Sequence, residues 1–550
     1  VTRRTTVGFG LALAFVSVLG AACSTILGLE APPASSRDGG PSDATIAAEN
    51  GAGADGSVDV ATDAGLDGPD TALVMCQPLD AGDGATTYFP MTQAVVDEAG
   101  TYAWSFFDTT PLGSASFAGG TFDGTYLYFA GRGNGILRLD PGGSFEDKGS
   151  WAYFSPLPST TPAGFNGAVY DGTRYVYFVP SSLGGPGTTA PTSVVVRYDT
   201  AGAGFKVPSS WAAFDMSTLS ADGGPVTAGF LGGGFDGRYV YFVPHNDGVP
   251  DGRVVRFDTT VEDAGGPDAA APEAGAEGGV GATDSGSDGA PDGGEDGAGE
   301  AGRAPEGGIE AGGSWAFEPQ LWTTFNAATL DPAAVGFAGA VFDGTALYFV
   351  PNVNDVYDAE VSGGTSGTVV RLLTADGGFV DAASWSTFDV TKINGLATNF
   401  YGGAFADGHL YLAPRGEGIA TRFDTSSTQL NTASAWETYD TTRATTAPDG
   451  SIAQFAGAAY DGRFVYYVPG RTGLSFVLRY DTWSTFGADC AWSAIDLGQL
   501  DAGSITFYIG AVFDGQYVYL IPDGSRLFAR FRARTPGPLP DLPFFHGSFL

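Results

Sequence analysis

Apolar positions in this chain fall in short runs separated by a recurring Asp-Gly. In the stretch from Gly232 to Thr260, Gly232-Gly233-Gly234-Phe235 is small and apolar, and Asp236-Gly237 marks a tight turn. Both turn residues tolerate positive φ, so the pair fits a primed hairpin turn. Tyr239-Val240-Tyr241-Phe242-Val243 is β-branched and aromatic throughout, the composition of a strand covered on both faces. Pro244 ends it, because proline cannot donate to a ladder. After a polar loop, Val254-Val255-Arg256-Phe257-Asp258 reads as a third strand. A Trp-x-x-aromatic segment downstream, such as Trp385 to Asp389 following Phe379, supplies a fourth.

This unit recurs with drift at Phe122-Asp123-Gly124, Tyr170-Asp171-Gly172, Phe235-Asp236-Gly237, Phe342-Asp343-Gly344, Phe405-Ala406-Asp407, Tyr460-Asp461-Gly462 and Phe513-Asp514-Gly515. In the fifth copy Ala406 takes the Asp slot and the Asp-Gly pair slips by one. Each third strand carries an arginine: Arg138, Arg197, Arg256, Arg371, Arg422, Arg479 and Arg530. The fourth-strand tryptophans are Trp104, Trp151, Trp211, Trp322, Trp385, Trp436 and Trp492. Four strands repeating at roughly fifty residues predict a β-propeller. The expected fold is all-β, a single seven-bladed β-propeller of four-stranded blades. Trp104 precedes the first hairpin, and no tryptophan follows the last third strand, Leu527 to Phe531. The Trp104 strand is therefore expected to complete the last blade and close the ring, which removes two exposed sheet edges.

The copies resemble kelch repeats, which also run from an apolar strand through Asp-Gly into an aromatic strand, then a strand ending near Tyr-Asp, then a tryptophan. The kelch Gly-Gly after the second strand is missing. Val-Pro or Ala-Pro replaces it in five copies, Ile521-Pro522 in the last and Ala130-Gly131 in the first, so the repeat is kelch-like. The resemblance covers about Trp104 to Arg534. It speaks to fold, since propellers host many unrelated activities.

The ends of the chain have a different character. Arg3 and Arg4 precede an apolar run, Val7 to Ala22, that is too short and too rich in small residues for a comfortable membrane span. It ends Leu19-Gly20-Ala21-Ala22-Cys23, which resembles a bacterial lipobox, with the leucine one place further from the cysteine than usual. The resemblance implies a lipoprotein signal peptide over 1–22 and lipidation of Cys23. Residues 23–75 are rich in Gly, Ala and Asp, a composition that cannot bury enough apolar surface to offset ordering. They are expected to form a disordered tether, whose stretch from Ala31 to Thr71 has a root-mean-square reach of roughly 35–40 Å. The propeller is expected over 76–540. A disordered acidic insert over 261–313 interrupts its third copy, and an insertion into a surface loop costs little.

The formal charge of −37 argues against a nucleic-acid partner and against direct docking on anionic lipid. With Cys23 lipidated, Cys76 and Cys490 are the two cysteines left, an even number that suits an oxidising compartment. A disulfide between them would pin the N-terminal segment to the rim beside the ring closure.

Candidate chemistry is sparse. The chain has three histidines, His245, His409 and His546, too few for a multi-histidine metal site. No nucleophile elbow, P-loop or His-Glu-x-x-His motif is present. No cofactor is expected. The insert's Asp/Gly pairs, such as Asp284 to Gly289, raise calcium only weakly, because their spacing matches neither an EF-hand nor a nonapeptide β-roll. The repeated tryptophans read as packing between neighbouring blades. The arginines read as partners of a nearby Asp, such as Asp258 or Asp215, or as caps on turn carbonyls. The glycine-rich first strands read as innermost, where blades crowd the axis.

In a four-stranded blade the Asp-Gly turns share one face with the loops between third and fourth strands. The other face collects the loops after each second strand and the connections to the next blade. These loops vary, and variable polar loops on a rigid scaffold are where binding usually sits. The candidate ligand-binding residues are Arg132, Asn134, His245, Asn246, Asp247, Asn352, Asn354, Arg415, Glu417 and Arg471. The leading expectation is a lipid-anchored, monomeric, non-catalytic scaffold in the bacterial cell envelope, binding a protein or a glycan, with the lipid as its sole membrane contact. Two alternatives stay open: an extracytoplasmic carbohydrate-active enzyme using a clustered pair of channel carboxylates with raised pKa, and a structural envelope protein.

Overall fold

The computed structural model describes residues 76, 86–89, 91, 103–113, 116–133, 135–157, 164–181, 192–221, 224–226, 229–260, 318–352, 366–445, 450–470, 474–500 and 507–536. The leader with Cys23, the tether and the acidic insert lie outside them. Seven four-stranded antiparallel sheets form the blades. Blade 3 shows the order: Phe230–Phe235, Tyr239–Pro244, Arg253–Asp258 and Trp322–Asn326, from the axis outward. The first strands of successive blades lie side by side, and that of blade 7 (Tyr508–Phe513) meets that of blade 1 (Phe117–Phe122). The seven blades thus form a ring. Helical structure among the described residues is limited to short 3-10 turns.

The ring closes as the repeat order predicts. Trp104–Asp108 pairs antiparallel with Leu527–Arg532, in register from Trp104 opposite Phe531 to Asp108 opposite Leu527. The last blade therefore combines three strands from the C-terminal end with one from the N-terminal side.

The tryptophans fasten neighbouring blades. Trp151, Trp211, Trp385, Trp436 and Trp492 each donate Nε1–H to the carbonyl six residues earlier, all at 2.8 Å. Each indole also lies against the fourth-strand ring of the preceding blade. Phe107 stacks on Trp151 at 4.7 Å, Phe325 on Trp385 at 4.5 Å and Tyr439 on Trp492 at 4.3 Å. Burying rings of this size in offset stacks is a large apolar contribution at these seams.

The arginines do a related job, with partners other than the aspartates proposed for them. Arg256 lies over Tyr239 of its own blade at 3.8 Å and over Phe379 of the next at 4.3 Å. Arg138 lies between Tyr126 and Phe205, and Arg530 between Tyr517 and Phe145. Arg371 and Arg479 instead cap carbonyls, those of Thr428 and Phe89, at 2.9 and 3.2 Å. Arg422 bonds Glu437. Asp258 is taken by Arg238 at 2.7 Å, and Asp215 accepts from Ser193 at 2.6 Å. Apart from Arg422, which bonds Glu437 of its own blade, these third-strand guanidiniums meet rings and carbonyls.

The Asp-Gly turns also differ from expectation. A primed two-residue hairpin occurs in blade 5, where Asp407 and Gly408 have φ of 47° and 73° and Ala406 pairs with His409. In the other blades the aspartate builds a longer turn with its side chain. Oδ1 of Asp236 accepts from the N–H groups of Arg238 and Tyr239, and Oδ2 accepts from the Tyr241 hydroxyl at 2.6 Å. The same carboxylate–tyrosine bond joins Asp123 to Tyr128, Asp343 to Tyr348, Asp461 to Tyr466 and Asp514 to Tyr519. With Ala406 in the aspartate slot of blade 5, the Tyr411 hydroxyl accepts from Arg422 instead.

Glycine in the first strands answers to both crowding and backbone shape. A Cβ on Gly233 would lie 2.5 Å from the Tyr241 carbonyl oxygen and 2.9 Å from Val169 of blade 2, and one on Gly234 would lie 2.9 Å from Leu347 of blade 4. The register slips between Phe230 and Gly233, and the intervening Gly232 has φ of 75°. Equivalent bulges recur in the other blades, with Gly119, Gly167, Gly339, Gly402 and Gly457 also at positive φ. Only glycine adopts that conformation without strain.

Candidate binding face

The residue after each second strand occupies the same place in every blade. Its N–H donates to the carbonyl of the residue preceding the first strand, as in Arg132 to Ser116, His245 to Gly229 and Asn352 to Gly336. The complete rim is Arg132, Ser181, His245, Asn352, Arg415, Gly470 and Asp523. Four of these were among the residues singled out from sequence. Ser181, Gly470 and Asp523 were not, although the Pro-x spacing after the aromatic strand marks all but the first copy.

Beneath the rim lies a second ring, the second residue of each first strand: Ala118, Asn166, Leu231, Ala338, Tyr401, Ala456 and Ile509. All are buried. The six apolar members belong to one contiguous cluster drawn from six blades, which requires them to converge on the axis. Side chains as large as Leu231, Tyr401 and Ile509 therefore fill the axis at this level, contrary to the expectation that small residues alone fit there.

The rim side chains join blades. His245, 4 % exposed, places Nδ1 2.9 Å from the Phe337 carbonyl of blade 4. Asn352, 2 % exposed, donates Nδ2–H to the Phe400 carbonyl of blade 5. Arg132 spans three blades: its Nε is 3.0 Å from Asp523 of blade 7 and its Nη1 3.5 Å from Oδ1 of Asn166 in blade 2. Asn166 in turn donates to the Phe230 carbonyl of blade 3. Arg415 lies 4.7 Å above the ring of Tyr401.

The outer part of this face is more open. Asn246 and Asp247 are partly exposed on a loop tied down by Arg253, which bonds Asp247 and Asp251, each at 2.8 Å. Glu417 is exposed. Asn134, Asn354 and Arg471 lie outside the described residues.

On the opposite face, burial raises the carboxyl pKa of Asp171, Asp461 and Asp514. These three occupy equivalent turns of blades 2, 6 and 7. The two in blades 6 and 7 accept from a tyrosine. Among the described residues no cluster of His, Cys, Asp or Glu has the arrangement to hold a metal ion. No described helix is long and apolar enough to cross a membrane.

Cys76 and Cys490 are disulfide-bonded, with Cα atoms 5.9 Å apart. Cys490 is exposed just before Trp492, and Cys76 packs against the apolar cluster of blades 5 and 6.

Neither a protein-family profile nor a curated protein sequence matches the chain. Among solved structures, a catalytically inactive virginiamycin B lyase from Staphylococcus aureus, crystallised with quinupristin, is 10 % identical with a TM-score of 0.42. That match covers 78 % of this chain and 98 % of the lyase. YCF48 from Cyanidioschyzon merolae is 11 % identical with a TM-score of 0.42, over 78 % of this chain and 99 % of its own. A YCF48 bound to D1 peptide is 9 % identical, again at 0.42, over 80 % of this chain and 97 % of its own.

Proposed function

We propose that the chain is a non-catalytic, kelch-like binding scaffold, held in the bacterial cell envelope by a lipid on Cys23 and recognising a protein or glycan on its rim face. The observation that supports this reading is the contrast between a filled axis and a varied rim. With Leu231, Tyr401 and Ile509 meeting beneath the mouth, a ligand on this side engages the face and not a deep channel. Rigid strands present the loops around Asn246-Asp247 and Arg415-Glu417 there, and loops of that kind carry recognition on many scaffolds.

The test is binding of the purified full chain to envelope proteins and to a glycan array, with saturation measured for any hit. A double variant, Asn246→Ala with Glu417→Ala, should lose that binding at unchanged melting temperature. Binding that survives the double variant, or no saturable ligand from a monodisperse folded sample, would count against the proposal. Incorporation of labelled lipid in a bacterial host, lost in Cys23→Ser, tests the anchor separately.

A further inference from the structure

We infer that the N-terminal segment is a clasp that diverts tension away from the ring closure. Three described pieces of this segment are attached in chain order. Cys76 is bonded to Cys490, in the turn before the fourth strand of blade 6. Residues 87–89 then run antiparallel to 533–535: Phe89 donates to the Ala533 carbonyl and Thr535 to the Thr87 carbonyl, each at 2.8 Å. Trp104–Asp108 follows as the outermost strand of blade 7.

The middle piece grips both blades at the seam. The Tyr88 ring packs edge-on against Phe464 of blade 6 at 5.7 Å and near Trp483 at 6.2 Å. Arg479 of blade 6 donates to the Phe89 carbonyl at 3.2 Å, and Arg532 of blade 7 lies 4.3 Å over the Phe89 ring.

The order of attachment has a mechanical meaning. Without the disulfide, a pull on residues before Cys76 would lift 87–89 first and then Trp104–Asp108. Both would peel one hydrogen bond at a time, and the second step opens the ring. With the disulfide, the pull enters blade 6 at Cys490 by a covalent route, and neither non-covalent piece carries load. The closure strand is thereby shielded from whatever holds the chain at its N-terminal side. The inference needs no particular anchor and does not depend on the proposed function.

Single-molecule pulling on the full chain tests it. One handle is placed at the N-terminus and the other on an azide-bearing residue substituted at Val380 of blade 4, which is 63 % exposed. After reduction of the folded protein with a phosphine, an early low-force step is expected. Its length is that of the chain from Cys76 to Asp108, roughly 110 Å at the extended limit. With the bridge intact that step should be missing, and extension should begin with the unfolding of blades. An early step of this size in the oxidised protein, or its absence after reduction, would overturn the inference. Cys490→Ser repeats the comparison without reductant. Reduction of already folded protein keeps the test valid if that variant folds poorly.

Discussion

The two faces of the ring solve the same problem in opposite ways. On the Asp-Gly face one arrangement recurs: a carboxylate closes its own turn and accepts from a tyrosine hydroxyl, as in blades 1, 3, 4, 6 and 7. On the rim face the equivalent position is filled by Arg, Ser, His, Asn, Arg, Gly and Asp, and the contacts change from blade to blade. Arg132 pairs with Asp523, His245 and Asn352 bond the next blade, and Arg415 lies over Tyr401 of its own. Repetition on one face marks what every blade needs in order to fold. On the other face, variety by itself does not mark ligand contact, because His245 and Asn352 vary while bonding the next blade.

Substitutions can sharpen or break this contrast. The largest effect should come from the repeated face. Asp461→Ala strands the buried Tyr466 hydroxyl and two backbone N–H groups, and should cost about 3 kcal/mol in chemical denaturation. Asp514→Ala should cost a similar amount. Widely unequal losses at the two sites would break the claim that the turns are equivalent. His245→Ala and Asn352→Ala each leave a buried carbonyl short of a donor in the next blade, so a loss of about 1–2 kcal/mol is expected. If either is neutral to stability, the rim does not join blades there.

Blade 5 gives a smaller, local test. Gly408→Ala places a Cβ at φ 73° and should cost about 1 kcal/mol by thermal melting, although a Cβ there meets no neighbouring atom. Smallest of all, Glu417→Ala should change stability by less than about 0.5 kcal/mol, as exposed surface changes do.

Titration sets the buried turn aspartates apart from an exposed one, Asp108. The raised carboxyls of Asp171, Asp461 and Asp514 bind protons more tightly in the folded chain than in the unfolded one. Their contribution to stability is therefore complete below the usual carboxylate pKa, about 4, and is lost as pH rises through the raised values. Asp108 behaves in reverse. Hydrogen bonds from Thr110 lower its pKa, so its contribution is present above about 4 and lost as pH falls through the depressed value. Denaturant midpoints measured upward from pH 4 should fall more steeply for the wild type than for Asp461→Asn, and equal slopes would refute the assignment.

The blade order was readable because most copies state it in residues with few structural uses: a β-branched aromatic run, a following proline in all but the first and a spaced tryptophan in all but the last. Closure was readable from the displaced Trp104. The role of the aspartates was not, because Asp-Gly suits two turn types, and only the position of the tyrosine five residues after the aspartate, in most copies, separates them. The arginine partners were legible in part: carbonyl capping was expected and is found at Arg371 and Arg479, while the stacking on rings was missed for a related reason. A sequence shows which aspartates are near in the chain, but the rings that flank Arg256 come from Tyr239 and from the next blade's Phe379. The rim was half legible: its loops stand out by their variety, but the bonds that bury His245 and Asn352 run to main-chain carbonyls, which every residue possesses.

Arginine held between rings has a consequence for ionic strength. Charge pairs at an exposed surface fade once added salt shortens the screening length to a few ångströms, whereas a guanidinium enclosed by two aromatic faces is shielded from mobile ions by its own neighbours. A chain with a formal charge of −37 repels itself most in dilute buffer. Added salt should therefore relieve the repulsion across its surface and leave the seams at Arg138, Arg256 and Arg530 intact, so that the ring gains cohesion in brine.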